Sequence, residues 1–284
     1  MRISGDKIAK YVFLAIACSA IASLLLIALF ILLEGLPFIL RYGPWKFLST
    51  SDWRPHEGAF GIAPMIISSL WITAGAMLIG APLGVAGAVF LSEFVPKSVM
   101  CIIKPTIELL AGIPSVVYGF IGVMVLAPLI RTNLGGPGLS LLAAAVILGI
   151  MVLPTIISIS VDAIGAVPNA FREGALALGA TRWQAVRMVV LKAARSGIIA
   201  SIILAMGRAV GETMAVIMVA GNTIRTPHSA LEPVRTLTAN IAIEMSAATG
   251  MHRQALFATG VVLFVVIMIL NSLAMAAMRR KGGR

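Results

Sequence analysis

Long apolar runs separated by short polar segments dominate the chain. Six runs reach about 20 predominantly apolar residues, the length that an α-helix needs to cross the hydrocarbon core of a bilayer. They lie at about residues 11–33, 62–90, 107–130, 140–160, 197–220 and 255–278. The pattern predicts an all-α, polytopic membrane protein with six transmembrane helices. Because the first run continues unbroken to Leu33, we expect it to remain as a helix rather than to be a cleaved signal.

Small residues and prolines recur inside these runs. Six of them stand out by their spacing or position: Gly80, Gly84, Pro114, Gly119, Gly207 and Gly211. Small residues four positions apart let helices approach closely in lipid. A proline inside a span frees a backbone carbonyl, which a neighbouring helix or a water-lined cavity must satisfy. The pattern fits close packing in a helix bundle, and it also fits a translocation path lined by kinked helices.

The composition points the same way, since 60% of the residues are hydrophobic and only 12% are charged. Soluble domains carry about 25% charged residues. This excludes an ordinary soluble enzyme, a disordered protein and a disulfide scaffold. A net charge of +11 would suggest nucleic-acid binding in a soluble domain. Here most basic residues lie between apolar runs, where they set orientation in the membrane, so we expect a lipid bilayer and no nucleic acid as a partner.

The basic residues also predict which side each segment faces. Segments on the side of the two termini hold about twice as many Lys and Arg residues as those on the other side. Both termini are therefore predicted to be cytoplasmic, in a multi-pass protein of the cytoplasmic (inner) membrane. We divide the chain into residues 1–61, a first helix with an extracytoplasmic loop, and residues 62–280, a transmembrane domain with a cytoplasmic loop at about 162–196.

That cytoplasmic loop has the pattern of a short helix. Asn169 is expected to cap a helix that begins after Pro168, and Glu173 lies near its start, where a negative charge favours the helix dipole. Apolar residues fall on one face of this helix at helical spacing: Phe171, Ala175 and Leu178.

A turn and a second helix follow in the same loop. Gly179 suits a left-handed helix stop, and Thr181 and Gln184 have the spacing of a capping box. The loop is therefore predicted to be a helix–turn–helix hairpin that leads into the fifth span. Such a preformed unit is expected to dock another protein, and a merely structural cytoplasmic hairpin is the alternative.

A charged pair lies inside the fifth run. Arg208 and Glu212 are four residues apart, so a continuous helix places them on one face. An arginine near the middle of a membrane costs at least about 2.5 kcal/mol on insertion scales, which partners or water must offset. The pair either neutralises itself within the helix, or Arg208 faces a path and contacts an anion while Glu212 orients it or gates access. A guanidinium suits a tetrahedral oxyanion through paired N–H donors.

The cytoplasmic loop resembles the EAA loop of ABC importer permeases. The resemblance rests on Glu173-Gly-Ala175, Gly179, Val189 and Leu191, although Lys192 stands where that signature has proline. In that family the loop forms the coupling helix, which sits in a cleft of the ATPase subunit. The resemblance thus implies that Phe171, Glu173, Ala175, Leu178 and Gly179 belong to an ATPase-coupling loop.

Two further segments closely resemble phosphate-specific ABC importer permeases, and in particular their C-type subunit. They are GRAVGETMAV at residues 207–216, followed by AGNT at 220–223, and IELLAGIPSVVYG at 107–119. The resemblance implies the fold of a type I ABC importer permease and a heterodimeric channel with an A-type permease. It also implies two P-loop ATPase subunits and an extracytoplasmic phosphate-binding protein. Arg208 and Glu212 match the charged pair of that family's transmembrane path, and we include the adjacent Thr213.

No catalytic constellation accompanies these motifs. The chain contains no Gly-Lys dipeptide and hence no P-loop, so ATP and Mg²⁺ are expected on a partner ATPase and no cofactor in this chain. Glu244 and His252 have no partner at metal-ligand spacing, and no metal site is expected. The residues Leu237, Ile241 and Met245 predict an amphipathic helix at the outer surface, over about 236–248.

We therefore expect the chain to be a permease subunit that translocates inorganic phosphate and not an enzyme. A permease for another oxyanion, such as sulfate, molybdate or phosphonate, is one alternative. An ion-coupled secondary transporter, which can use the same broken helices and a buried charged pair, is the other.

Overall fold

The computed structural model describes residues 3–282, and nearly all of its regular structure is helical. The helices are α1 (Ile3–Tyr42), α2 (Pro44–Ser49), α3 (Ala63–Glu93), α4 (Lys97–Ala111), α5 (Ser115–Ile121), α6 (Ala127–Asn133), α7 (Leu141–Gly165), α8 (Asn169–Ala177), α9 (Arg182–Ala185), α10 (Leu191–Ala193), α11 (Arg195–Gly211), α12 (Met214–Val219), α13 (Leu237–Glu244) and α14 (Gly250–Gly282). Strands β1 (Trp53–Arg54) and β2 (Ala59–Phe60) form a small antiparallel hairpin. Arg2 and Arg284, which contribute to the predicted charge bias, lie outside the described residues.

Within residues 3–282, five helical segments are long and apolar enough to cross a membrane. They are Ala9–Tyr42, Ala63–Glu93, Ser115–Asn133, Leu141–Gly165 and Gly250–Ala276. The count reaches six if Arg182–Ala193 and Arg195–Gly211, which are bent by 68° at their junction, are taken as one span. The all-α, multi-pass architecture expected from the sequence is confirmed.

The predicted start of the third span is wrong. Residues 107–111 belong to α4, a separate helix, and the span begins at Ser115 after a break at Gly112–Pro114. Pro114 disfavours helical geometry in the residue before it, so α4 ends there and a new helix begins.

Lys104 of α4 donates a hydrogen bond to Asp162 near the end of α7 (2.5 Å), and this bond raises the pKa of Lys104 above its ordinary value.

Three clusters of buried apolar residues hold the helices together. The central cluster joins α3, α7, α11 and α12 and includes Ile72, Leu148, Ile156, Ala205 and Val216. A second cluster joins the ends of α3 and α7 to residues 186–190, between α9 and α10, and to the start of α11, and we call this the hairpin end. A third joins the end of α1, α2, the β-hairpin, α13 and the start of α14, at the opposite end.

The most extensive helix contact lies between α3 and α7, and it depends on Gly80 and Gly84. A Cβ added to Gly80 would lie 2.6 Å from Val152 Cγ2 and 2.9 Å from the Gly149 carbonyl oxygen. A Cβ added to Gly84 would lie 2.7 Å from Ile156 Cγ2. Only glycine therefore permits this backbone separation, as expected of small residues at a membrane helix interface.

The helix expected over 236–248 as an outer, amphipathic element is shorter and more buried than predicted. It spans Leu237–Glu244, and its first four residues are buried against α3 and α14. The side-chain oxygen of Thr236 accepts a hydrogen bond from the Ala239 N–H and caps the helix. The helix is thus a packed part of the opposite end.

Candidate functional site

The fifth span does not run as one helix through its charged residues. Helix α11 ends at Gly211, and Glu212 has an extended backbone (φ −69°, ψ 131°) before α12 begins at Met214. The carboxylate of Glu212 accepts a hydrogen bond from the Ala215 N–H (3.1 Å) at the start of α12. A carboxylate suits this place because the N-terminal amides of a helix carry partial positive charge.

This break overturns the expectation that Arg208 and Glu212 share one helix face. Within the part of the chain that the structure describes, no ion pair joins them. The Glu212 carboxylate turns to α12, while Arg208 remains on α11. Self-neutralisation within the helix is therefore wrong as an account of Arg208.

Arg208 instead contacts two other helices. Its Nη1 donates to Thr155 Oγ1 of α7 at 3.4 Å, and its Nη2 donates to the carbonyl oxygen of Ala111, the last residue of α4, at 3.5 Å. Charge-assisted hydrogen bonds are usually 2.7–2.9 Å long. The guanidinium, which has five N–H donors, is thus weakly satisfied by its protein partners.

A cavity of 530 Å³ adjoins this guanidinium. Its walls come from α7, α11 and α14, with apolar residues and three polar side chains, namely Thr155, Arg208 and Asn271. Arg208 lies 13 positions after the first residue of α11, which places it roughly 20 Å along the helix, within the depth of a membrane. The arrangement is a positively charged opening in an otherwise apolar bundle.

Thr213 makes no hydrogen bond to Arg208, since its hydroxyl donates to the Gly211 carbonyl oxygen (3.3 Å).

A residue that sequence reasoning missed stabilises the break between α11 and α12. The Thr238 hydroxyl of α13 donates to the Glu212 carbonyl oxygen at 2.9 Å. The two residues are 26 positions apart, and no local motif relates them.

Of the remaining small residues and prolines in the predicted set, one packs against a neighbouring helix and two lie where a helix ends or begins. Gly119 packs closely on α12, where an added Cβ would meet Met218 Sδ at 2.7 Å. Gly207 and Gly211 do not form the expected tight helix contact, because a Cβ on Gly211 would have no neighbour within 4 Å and one on Gly207 would have Asn271 Oδ1 at 4.0 Å. Gly211 ends α11 instead, and Pro114 precedes the first residue of α5.

The predicted hairpin is present at the hairpin end, with one difference at its start. Helix α8 begins at Asn169 itself, so Pro168 holds the capping position and the expected Asn169 cap is wrong. Gly179 has φ +82°, the left-handed geometry that glycine adopts without strain. The capping box of Thr181 and Gln184 is confirmed, with both of its hydrogen bonds formed.

An ion pair that the sequence analysis missed fastens this hairpin to α3. Arg172 Nη2 donates to Glu93 Oε1 at 2.6 Å, and Nε contacts both carboxylate oxygens at 3.1 and 3.3 Å. Arg172 also donates to the carbonyls of Val167 and Ile164 at the end of α7. The Glu93 side chain is only 8% exposed. No sequence signal linked the two residues, because they are 79 positions apart.

The outward face of the hairpin is apolar and open. Phe171, Leu178 and Trp183 are exposed, and Leu178 is 91% exposed. Glu173 is exposed beside them, and Ala175 is half-buried. The residues that were expected to form an ATPase-coupling loop therefore lie together on the surface, apart from the Arg208 cavity.

A second charged network lies at the opposite end. Glu244 accepts hydrogen bonds from Arg235 Nη1 (2.6 Å) and Trp53 Nε1 (2.7 Å), and it contacts His252 Nε2 (2.8 Å). The network joins β1, α13 and α14. Among the described residues, no group of three His, Cys, Asp or Glu side chains could hold a metal ion.

The chain is similar in sequence to known permease proteins. The chain matches the family described as "Binding-protein-dependent transport system inner membrane component" over residues 80–281. It is 43% identical to the "Probable ABC transporter permease protein YqgH" of Bacillus subtilis, over 89% of this chain and 84% of that protein. It is 37% identical to the "Phosphate transport system permease protein PstC" of Mesorhizobium japonicum, over 91% of this chain and 88% of that protein.

Solved structures share the fold. One chain of the inward-facing MetNI methionine ABC transporter has a TM-score of 0.62, is 19% identical and covers 81% of this chain and 99% of its own. A chain of a bacterial alginate ABC transporter, in complex with an alginate-bound periplasmic protein, has a TM-score of 0.59 at 16% identity. At these identities the likeness concerns the arrangement of helices.

Proposed function

Because the chain belongs to the family of binding-protein-dependent transport system inner membrane components, we propose that it is the C-type permease subunit of an ATP-driven importer of inorganic phosphate. In this proposal it pairs with an A-type permease and two P-loop ATPase subunits, which bind ATP and Mg²⁺. An extracytoplasmic phosphate-binding protein delivers the anion at the opposite end. The hairpin end and both termini face the cytoplasm.

The observation that carries the proposal is the weakly satisfied Arg208 beside an open cavity between α7, α11 and α14. An arginine at this depth is costly unless it has a partner or water. A phosphate anion passing through the cavity supplies the missing acceptors, because its oxygens match the donor geometry of a guanidinium. The cation lowers the electrostatic cost of moving an anion through the apolar bundle.

The test is ATP-dependent phosphate uptake by the assembled transporter in proteoliposomes. We expect Arg208→Gln to lower uptake at least about tenfold at equal membrane abundance, since it removes a charge-assisted contact. Arg225→Gln, which removes an exposed arginine from the loop after α12, is the matched control and should transport normally. Undiminished uptake by Arg208→Gln would remove this residue from the path.

Two other outcomes separate the alternatives. If sulfate, molybdate or phosphonate is taken up in place of phosphate, the chain is a permease for a different oxyanion. If this chain alone accumulates substrate under an ion gradient without any ATPase, it is a secondary transporter.

The exposed face of the hairpin fits the role of the coupling element. Phe171, Leu178 and Trp183 offer apolar area, and Glu173 stands beside them. We expect Glu173→Lys to abolish co-purification of the ATPase while membrane insertion is retained. Glu57→Lys reverses an exposed carboxylate at the opposite end and serves as the control. Full recovery of the ATPase with Glu173→Lys would contradict the coupling role.

A further inference from the structure

Three polar side chains from three helices line the open cavity between α7, α11 and α14. Arg208 comes from α11, Thr155 from α7 and Asn271 from α14. The Thr155 hydroxyl is within 3.4 Å of Arg208 Nη1. Asn271 Oδ1 would lie 4.0 Å from a Cβ placed on Gly207, the neighbour of Arg208. The absence of a side chain at Gly207 keeps the space between Asn271 and α11 open.

These groups have unused hydrogen-bonding capacity. Among the described residues, Arg208 makes only its two long hydrogen bonds, and the Asn271 side chain makes none. A polar group that faces hydrocarbon without a partner costs several kcal/mol. The three side chains therefore belong to a surface that meets water or a polar ligand rather than lipid tails.

We propose that Thr155 and Asn271 join Arg208 in one transit site for a protonated tetrahedral oxyanion, a refinement that rests on the proposed function. The guanidinium pairs with two anionic oxygens. The amide of Asn271 has both a donor and an acceptor, so Nδ2 donates to a third oxygen while Oδ1 accepts the proton of a P–OH group. Thr155 orients the guanidinium through its hydroxyl.

This chemistry distinguishes phosphate from sulfate. Phosphate near neutral pH retains at least one O–H group and can donate to the Asn271 carbonyl oxygen. Sulfate has no proton, so the same carbonyl oxygen would face an anionic oxygen without a hydrogen bond. An acceptor in the site that is left without its donor weakens binding.

The experiment measures occupancy of the cavity independently of transport. Met275 lines the cavity one helical turn from Asn271. Met275→Cys is introduced with Cys18 and Cys101 replaced by serine, in the assembled transporter without nucleotide. The rate at which a charged thiol reagent labels this cysteine is then measured with added inorganic phosphate or sulfate.

We expect phosphate, but not sulfate at the same concentration, to slow labelling. Asn271→Leu and Thr155→Val should each raise the phosphate concentration needed for half-protection by about tenfold or more. Thr155→Ser, which retains the hydroxyl, should restore protection. Thr259→Val is the matched control, since Thr259 is buried on α14 and donates to the Ala255 carbonyl of its own helix.

Each contrary outcome has a definite meaning. Equal protection by sulfate would overturn the requirement for a protonated oxyanion. Unchanged phosphate protection in Asn271→Leu at normal abundance would remove Asn271 from the site. Normal phosphate uptake without any protection would overturn the site and leave the proposed function intact, whereas absence of ATP-dependent phosphate uptake would overturn the proposed function itself.

Discussion

Replacing Glu93 with glutamine removes the carboxylate that holds the α8–α9 hairpin against the end of α3. The substitution keeps the size of the side chain but leaves the Arg172 guanidinium without its counter-charge. Removing one partner of a buried ion pair costs about 3–5 kcal/mol. Arg172 is 21% exposed and keeps two carbonyl acceptors, so we expect the lower end of that range, about 3 kcal/mol.

A loss of this size raises the equilibrium constant for release of the hairpin from α3 by a factor of roughly 100. Helix α8 has nine residues, and a helix of this length is not stable in water without packing. Its amide hydrogens should therefore exchange with solvent about 100-fold faster in Glu93→Gln, measured by hydrogen exchange on the purified protein. In the assembled transporter, the phosphate taken up per ATP hydrolysed should fall, because a loosened hairpin transmits ATPase movement poorly.

Glu57→Gln is the matched control for this substitution. It removes a carboxylate from the exposed Arg54–Glu57 pair, and such surface pairs contribute at most about 1 kcal/mol. Unchanged exchange of the α8 amides in Glu93→Gln would show that the ion pair does not hold the hairpin, and the reasoning would be refuted.

Two further substitutions test the contacts that shape the bundle. Gly80→Ala should lower the free energy of unfolding by about 1–3 kcal/mol, because the new methyl group meets backbone and side-chain atoms of α7. Thermal unfolding in detergent measures this loss. Gly165→Ala, where the space around the added methyl group is open, is the control. Thr238→Val leaves the Glu212 carbonyl without its donor and should lower the maximum rate of phosphate uptake at equal abundance, whereas Thr238→Ser should restore it. A normal rate in Thr238→Val would show that the α11–α12 break is held by other contacts.

Local chemistry was enough to predict most of the membrane-spanning helices and the hairpin. The length of the apolar runs reports directly on the thickness of the bilayer, so five of the six predicted spans correspond to long apolar helices. The Gly179 turn and the Thr181 capping box depend on residues within three positions of each other, and both appear as predicted. Arg208 was likewise predicted to be a functional candidate only because it is a charged residue inside an apolar run.

Contacts between distant residues decided what the sequence pattern left open. Continuous helical periodicity placed Glu212 beside Arg208, but the chain breaks where Thr238 binds the Glu212 carbonyl from another helix. The partners of Glu244 include Trp53, 191 positions away. Hydrophobic periodicity specifies which residues enter the membrane. It does not specify which helices meet there, because inside lipid the apolar surfaces are alike and the partners of the few polar groups are selected only by tertiary packing.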